Sequence, residues 1–158
     1  MSEQPWIVHC DGSAVPNPGR MACGVVLLAP DGSRHTVSRA IPTVGCNNEA
    51  ELWAITVALA ELRRLGATSA VLHSDNSTVV AQLAAPEAGR PAPILRLEPA
   101  FEAARRLMAE FGEARLQWVP RHRNGQADAL ARAAQGLPEK PVLPPGRKRL
   151  SKARRKNG

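Results

Sequence analysis

Trp6-Ile7-Val8-His9-Cys10-Asp11-Gly12-Ser13-Ala14-Val15-Pro16-Asn17-Pro18-Gly19 is the stretch from which the rest of the chain can be read. It opens as an apolar run with strand character over residues 6–11 and reaches a carboxylate at Asp11. It then meets Gly12–Gly19, where Pro16 and Pro18 mark a loop. A buried strand that delivers a carboxylate to its own end is costly unless a cation or a proton meets the charge. Three later acids stand in comparable places: Glu51 in the opening turn of a helix, Asp75 at the end of a strand, and Asp128 at the start of a helix. The expectation is that these four meet in space.

The elements around that stretch follow from periodicity and turn chemistry. Residues 24–29 (Gly-Val-Val-Leu-Leu-Ala) form a second strand, Pro30-Asp31-Gly32-Ser33 a turn, and residues 34–41 a third strand, making a meander. After 42–45 a long helix opens near Cys46 and runs to about Leu65, with Asn47 or Asn48 as its cap and Gly66 closing it. Leu52, Ile55, Leu59 and Leu62 recur every three or four residues on its packed face. Residues 70–75 form a fourth strand and 76–84 a helix, followed by a proline-rich connector over 86–93. A helix over 99–111, a strand over 115–119, a polar loop over 120–126 and a helix over 128–135 complete the order. Strand–helix–strand units demand parallel pairing with right-handed crossovers, so the fold class is α/β, a five-stranded mixed sheet flanked by helices. Function in such sheets gathers beyond strand ends where strand order switches. Asp11 and Asp75, ending neighbouring parallel strands, would lie side by side there.

At 158 residues the chain suits one domain, able to bury roughly 68–70% of its unfolded surface. Three Trp, two Phe and no Tyr mean the core is aliphatic and alanine-rich. The net charge of +7 sits in the tail: residues 1–137 carry 13 basic and 13 acidic side chains. The organisation is therefore a domain over 1–137 and a basic, disordered tail over 138–158, where Pro, Gly, Lys and Arg displace all periodicity. Cys10, Cys23 and Cys46 are odd in number and widely spaced, which excludes a disulfide framework or zinc site and fits a reducing compartment. Neither a signal peptide nor an apolar run near the roughly 20 residues of a bilayer span is present, so the expected location is cytoplasmic, with no membrane partner. The absence of a heptad or long exposed apolar helix suits a monomer.

Each acid has a bland explanation. Glu51 suits the positive end of a helix dipole, Asp75 and Asp128 could cap or open helices, and Asp11 could form a turn. Four acids at one class of position are instead the inventory of a phosphoryl-transfer site. Two divalent cations roughly 3.5–4 Å apart need several carboxylates to be neutralised while keeping water and phosphate ligands.

Asp11-Gly-Ser with Asn17-Pro-Gly19, then Asn47-Asn-Glu-Ala-Glu51-Leu, Ser74-Asp75, and Trp118-Val followed by His122 and Asp128-Ala-Leu-Ala, together resemble type 1 ribonuclease H over roughly residues 5 to 136. The resemblance implies a ribonuclease H-like fold, with three antiparallel and then two parallel strands. It also implies a metal-dependent endonuclease that cuts the RNA strand of RNA–DNA hybrids and leaves 5′-phosphate and 3′-hydroxyl ends. Asp11, Glu51, Asp75 and Asp128 match the family's four metal-binding acids, with Mg²⁺ as cofactor, two ions per site, and Mn²⁺ as a substitute. Glu51 matches, and Glu49 does not, because the family's pattern is Asn-Asn-x-x-Glu-Leu. His122 matches a loop histidine that helps protons move or product leave, although only five residues separate it from Asp128. Asn17, Asn47 and Asn48 match substrate-binding positions near the nucleic-acid backbone and ribose hydroxyls, the groups that tell RNA from DNA. Helix capping is the competing explanation for the last two. His9 and His73, each two residues before an acid, share that acid's strand face by strand period; a ligand role is the alternative, and hydrogen-bonded structural histidines are the favoured reading.

The chain departs from the family in three places. Cys46 stands where a hydroxyl residue often holds a DNA phosphate, and a thiol is a weak donor. Ser77 stands where glutamine is common. The long basic helix-and-loop of some bacterial members is absent, leaving Arg90 and Arg96 near the short connector; the tail is the expected replacement source of phosphate contacts, with a solvated extension that aids solubility as the plain alternative. Competing readings are a nuclease of the same fold acting on double-stranded RNA, an integrase-like domain, and a non-catalytic nucleic-acid-binding module. An inert binder has no use for four clustered carboxylates facing a phosphate backbone.

Overall fold

A computed structural model describes residues 4–84 and 87–138. Five strands form one sheet: β1 (Trp6–Val15), β2 (Gly19–Leu28), β3 (Arg34–Gly45), β4 (Ser69–Ser74) and β5 (Glu113–Trp118). Their order is β3-β2-β1-β4-β5. The meander pairs antiparallel, and β1–β4 and β4–β5 pair parallel, giving the expected mixed α/β sheet. The helices are α1 (Asn47–Arg64), α2 (Ser77–Ala84), α3 (Glu98–Ala109) and α4 (Gly125–Ala134), with short 3-10 turns at Glu87–Gly89, Leu95–Leu97 and Arg121–Arg123.

The two faces of the sheet are covered differently. On one, α1 lays Leu52, Ile55, Leu59 and Leu62 onto Val8, Cys10, Val25, Leu27 and Leu72, and α2 and α3 close the layer with Val79 and Phe101. Each such side chain, fully buried, contributes about 1.5–3 kcal/mol. On the other face α4 crosses β2, β1 and β3. Glycine sets both approaches. A Cβ at Gly12 would stand 2.1 Å from Ala50 O of α1, and one at Gly24 would stand 2.2 Å from Ala127 O of α4. Cys10 and Cys23 are buried free thiols and Cys46 is a half-buried one. No helix among the described residues is long and apolar enough to cross a membrane.

Several boundaries differ from expectation: the β2–β3 ladder reaches Gly19↔Gly45, so β2 opens five residues earlier than residue 24 and β3 runs on past residue 41 to Gly45. β1 continues through Asp11 to Val15, because the β2 ladder continues from Asp11↔Gly24 to Val15↔Arg20 after the β4 ladder has ended at Cys10↔Ser74. Asp11 therefore sits mid-strand, at the point where β1 parts from β4. The helix expected to open at Asp128 opens at Gly125, so Asp128 falls within its first turn. The α1 cap is Cys46, without a side-chain cap bond, and neither Asn47 nor Asn48 holds that place. The tail beyond Pro138 lies outside the described residues.

Candidate active site

Where β1 and β4 part, three elements deliver carboxylates to one point. Asp11 comes from β1, Asp75 follows the last residue of β4, and Glu51 reaches in from the second turn of α1. One ligand oxygen from each lies within 4.8 Å of the others. Asp11 and Glu51 are buried, 6% and 3% exposed, and Asp75 is half-buried. Asp128, half-buried in α4, stands outside that triad. It lines the same cleft, of about 1250 Å3, and adds its charge to the field at Asp11.

The second-turn position of Glu51 is fixed by two donors: Gly12 N–H donates to Oε1 at 3.1 Å and Ser74 Oγ–H to Oε2 at 3.1 Å. Both donors belong to strands, so the carboxylate is tied to the sheet although its backbone is in the helix. Burial, followed by the charge of Glu51, pushes the Asp11 carboxyl up to about 10. Burial also leads in pushing Glu51 up to about 7. Crowding and burial together favour one proton held between the two. A site that holds a proton because its carboxylates are crowded is a site that a divalent cation relieves. The donor set, all hard carboxylate oxygen, suits such a cation.

Asn124, in a stretch whose sequence reads as a polar loop, organises the same point. It is 1% exposed, and its Nδ2 donates to Cys10 O at 2.8 Å and to Asp75 Oδ2 at 3.2 Å. It thus fixes Asp75 against the strand that carries Asp11. The signal available was its spacing: four residues before Asp128 places it one helical turn away. Gln135 was missed as well. Its Nε2 donates to Ser13 O at 3.1 Å and Arg20 O at 2.9 Å, pinning the far end of α4 to the β1–β2 hairpin.

The remaining expected residues line the cleft, though some are occupied structurally. His122 is exposed, on the Arg121–Arg123 turn. Asn17 Oδ1 accepts from Asn47 N–H at 3.0 Å, so a residue 30 positions away caps α1 in place of Cys46. Asn47 Oδ1 accepts from Ala14 N–H at 2.8 Å, and Asn48 Oδ1 accepts from Asn76 Nδ2 at 2.9 Å. Asn76 in turn caps α2 through Val79 N–H. His73 Nδ1 lies 2.9 Å from Val8 O, as a satisfied structural histidine would.

A family model described as "Reverse transcriptase-like" matches residues 9–134. The chain belongs to this ribonuclease H-like family. Its relatives include a bifunctional protein of Mycobacterium tuberculosis, 31% identical over 134 residues. That alignment takes in 81% of this chain and 35% of the relative. The solved N-terminal RNase H domain of the mycobacterial protein superposes with a TM-score of 0.73 at 30% identity, over 83% of this chain and 98% of that one. The ribonuclease HI of Halobacterium salinarum is 34% identical over 128 residues, 80% of this chain and 62% of that protein. The chain thus spans between a third and two thirds of the length of these curated relatives. An RNase H1 isolated from compost and solved in complex with an RNA/DNA hybrid superposes with a TM-score of 0.72 at 26% identity, over 82% and 95% of the two chains. The ribonuclease H-like sheet and its helices are those expected from the motifs.

Proposed function

We propose that this ribonuclease H-like domain is a metal-dependent endoribonuclease that hydrolyses the RNA strand of RNA–DNA hybrids, with two Mg²⁺ ions per site. The observation that carries the proposal is the convergence of Asp11, Glu51 and Asp75 within 4.8 Å in an open cleft that Asp128 also lines. The RNase H1 solved with a hybrid lends the substrate class. Divalent cations bound there would supply charge neutralisation and an activated water for an in-line displacement. The chain's own residues do the rest. Asp11, Glu51, Asp75 and Asp128 hold the cations, and Asn124 keeps Asp75 aimed. His122, on an exposed turn at the cleft wall, would take a proton from the attacking water or give one to the leaving 3′ oxygen.

Asn47 and Asn48 spend their carbonyl oxygens on the protein and keep their Nδ2 donors for ribose hydroxyls, the groups that mark RNA. Asn17, exposed beside them, offers its own amide donor. The weak Cys46 thiol is not alone on the cleft wall: Arg96 Nη2 lies 3.3 Å from its sulfur, so a guanidinium supplies the phosphate contact that a thiol cannot make. The basic tail over 138–158 adds phosphate contacts beyond the cleft and steepens the salt dependence of binding.

The test is cleavage of matched RNA–DNA, RNA–RNA and DNA–DNA duplexes with Mg²⁺, beside Asp75→Asn and a chain ending at Gly136. The expected result is cutting of the hybrid's RNA strand alone, leaving 5′-phosphate and 3′-hydroxyl ends. Asp75→Asn should be inactive, and the shortened chain should be active with a raised KM. An intact hybrid that is nonetheless bound, with either Mg²⁺ or Mn²⁺, would make the domain a binding module.

A further inference from the structure

A second cavity, of about 630 Å3, lies on the α4 face of the sheet, on the far side of the Arg121–Arg123 turn from the acids. That volume falls within the roughly 300–1,000 Å3 typical of small-ligand sites. Ile7 of β1 and Val26 and Leu28 of β2 give it an aliphatic floor. Leu28 is 42% exposed, unusual for a leucine on a sheet face that a helix otherwise covers. No carboxylate lines the cavity, and two exposed arginines do, Arg34 and Arg123. Neither is ion-paired among the described residues. Arg34 is instead held in place by a neutral partner, its Nη2 donating to Gln126 Oε1 at 3.0 Å, which leaves its charge unspent.

The planar group in this floor is His9. Its ring stacks on His73 with centroids 4.6 Å apart and planes 13° from parallel. β1 runs between β4 and β2, and His9 registers with Val26. One ring face is therefore covered from the β4 side, and the ring rises beside the short Val26 side chain, both of them lining the cavity. An aromatic ring beside an aliphatic floor, with two guanidiniums that form no ion pair among the described residues, matches a flat heterocycle that carries an anion. Stacking of a base on such a face contributes without regard to base identity, and guanidinium is the group best shaped for phosphate.

We propose that this cavity is a nucleotide pocket, holding one unpaired nucleotide of a strand that leaves the acidic cleft, with its base against His9 and its phosphate across Arg34 and Arg123. Continuity supports the strand as the source, because His122, Gly125 and Gln126 line both cavities. A chain crossing that turn passes from one to the other. The source of the nucleotide rests on the function proposed above; the chemistry of the pocket does not.

The test is an NMR titration of the full, metal-free chain, in which nothing is cut. The ligands are AMP, adenosine, inorganic phosphate, and a blunt RNA–DNA hybrid beside the same hybrid with a single-stranded overhang. AMP should shift the ring resonances of His9 and His73 and bind more tightly than adenosine or phosphate alone. The overhanging hybrid should shift them and the blunt one should not. Leu28→Glu and Arg34→Ala, both at exposed positions, should each weaken AMP about tenfold, the effect of losing or opposing one charge-assisted contact. The pocket is refuted if AMP moves only resonances around Asn17, Asn47 and Asn48, or if Leu28→Glu binds as tightly as the wild type. Equal shifts from blunt and overhanging hybrids would overturn the strand assignment in favour of a free nucleotide. A chain that fails to cut hybrid yet binds AMP at His9 would refute the proposed nuclease and leave the pocket standing.

Discussion

Without metal, Asp11→Asn should make the protein more stable at pH 8, although it removes a carboxylate from the centre of the site. Asp11, Glu51 and Asp75 present oxygens within 4.8 Å of one another. At that separation, with an effective dielectric constant of about 20, two unit charges repel by about 3.5 kcal/mol. The proton between Asp11 and Glu51 removes one repulsion and leaves that pair facing Asp75. An asparagine amide can donate to Glu51 in place of the shared proton, so the variant escapes the Asp11–Glu51 repulsion without drawing a proton from solution at pH 8, while Glu51 still faces Asp75. The expected gain is about 3 kcal/mol, which for a chain of this size raises the melting temperature by roughly 6–12 °C.

The pH dependence carries the same sign. Both carboxyls titrate above their ordinary values, so the folded state binds more protons than the unfolded one and stability falls as pH rises. The wild type should lose stability from about pH 4 upward, through about 7 for Glu51 and toward about 10 for Asp11. The advantage of Asp11→Asn should therefore shrink toward pH 4. Urea unfolding in EDTA from pH 4 to pH 9 measures this directly. Saturating Mg²⁺ should close the gap, since a ligand at a hundred times its Kd adds about 2.7 kcal/mol to the protein that binds it. A variant less stable than the wild type at pH 8, or a gap independent of pH, would show that the acids are not crowded charges and would refute the argument.

Four further substitutions separate the site from the fold around it. Asn124→Ala should cost about 2–3 kcal/mol in urea unfolding, because it strips the donor from buried Cys10 O; a loss under 0.5 kcal/mol would mean that Asn124 organises nothing. Gly24→Ala should cost at least about 2 kcal/mol by lifting α4 off the sheet and should impair cleavage through Asp128, since its Cβ would meet Ala127 O at 2.2 Å. Gly32→Ala, at φ +89° with open space around it, should cost only about 1 kcal/mol and leave cleavage intact. His122→Ala should lower kcat by about 100-fold without changing the unfolding midpoint, since the residue is exposed; an equal loss in both would make it a packing residue.

What could be read from the sequence was whatever depends on local pattern or on a single switch of strand direction. The meander, the crossover at α1, and the closing glycines Gly66 and Gly136 are short-range features, and both glycines take the positive φ that ends a helix. The meeting of Asp11 with Asp75 needed only the rule that β1 and β4 are parallel neighbours. Partners chosen by the fold at long range were not visible. Nothing near Asn17 shows that it caps a helix 30 residues away, and a polar loop gives no sign that Asn124 is buried against a carbonyl 114 residues earlier. The end of β1 was misplaced for a related reason. Turn residues after Asp11 suggested a stop, but a strand with two neighbours can leave one and stay with the other, and the β2 ladder carried it on to Val15.

That departure of one strand from its neighbour is also what makes the site possible. If β1 and β4 stayed paired past Cys10 and Ser74, their backbone groups would be consumed in the ladder, and Gly12 N–H and Ser74 Oγ–H would not both turn to Glu51. Because they part there, a backbone donor, a side-chain donor and the Asn124 amide converge on carboxylates that would otherwise be buried without partners. These donors offset part of the desolvation cost, and burial still holds both carboxyls above their ordinary range. The deficit that remains is the affinity for a cation, so strengthening the protein's own hydrogen bonds to these acids should stabilise the metal-free fold and weaken metal binding together.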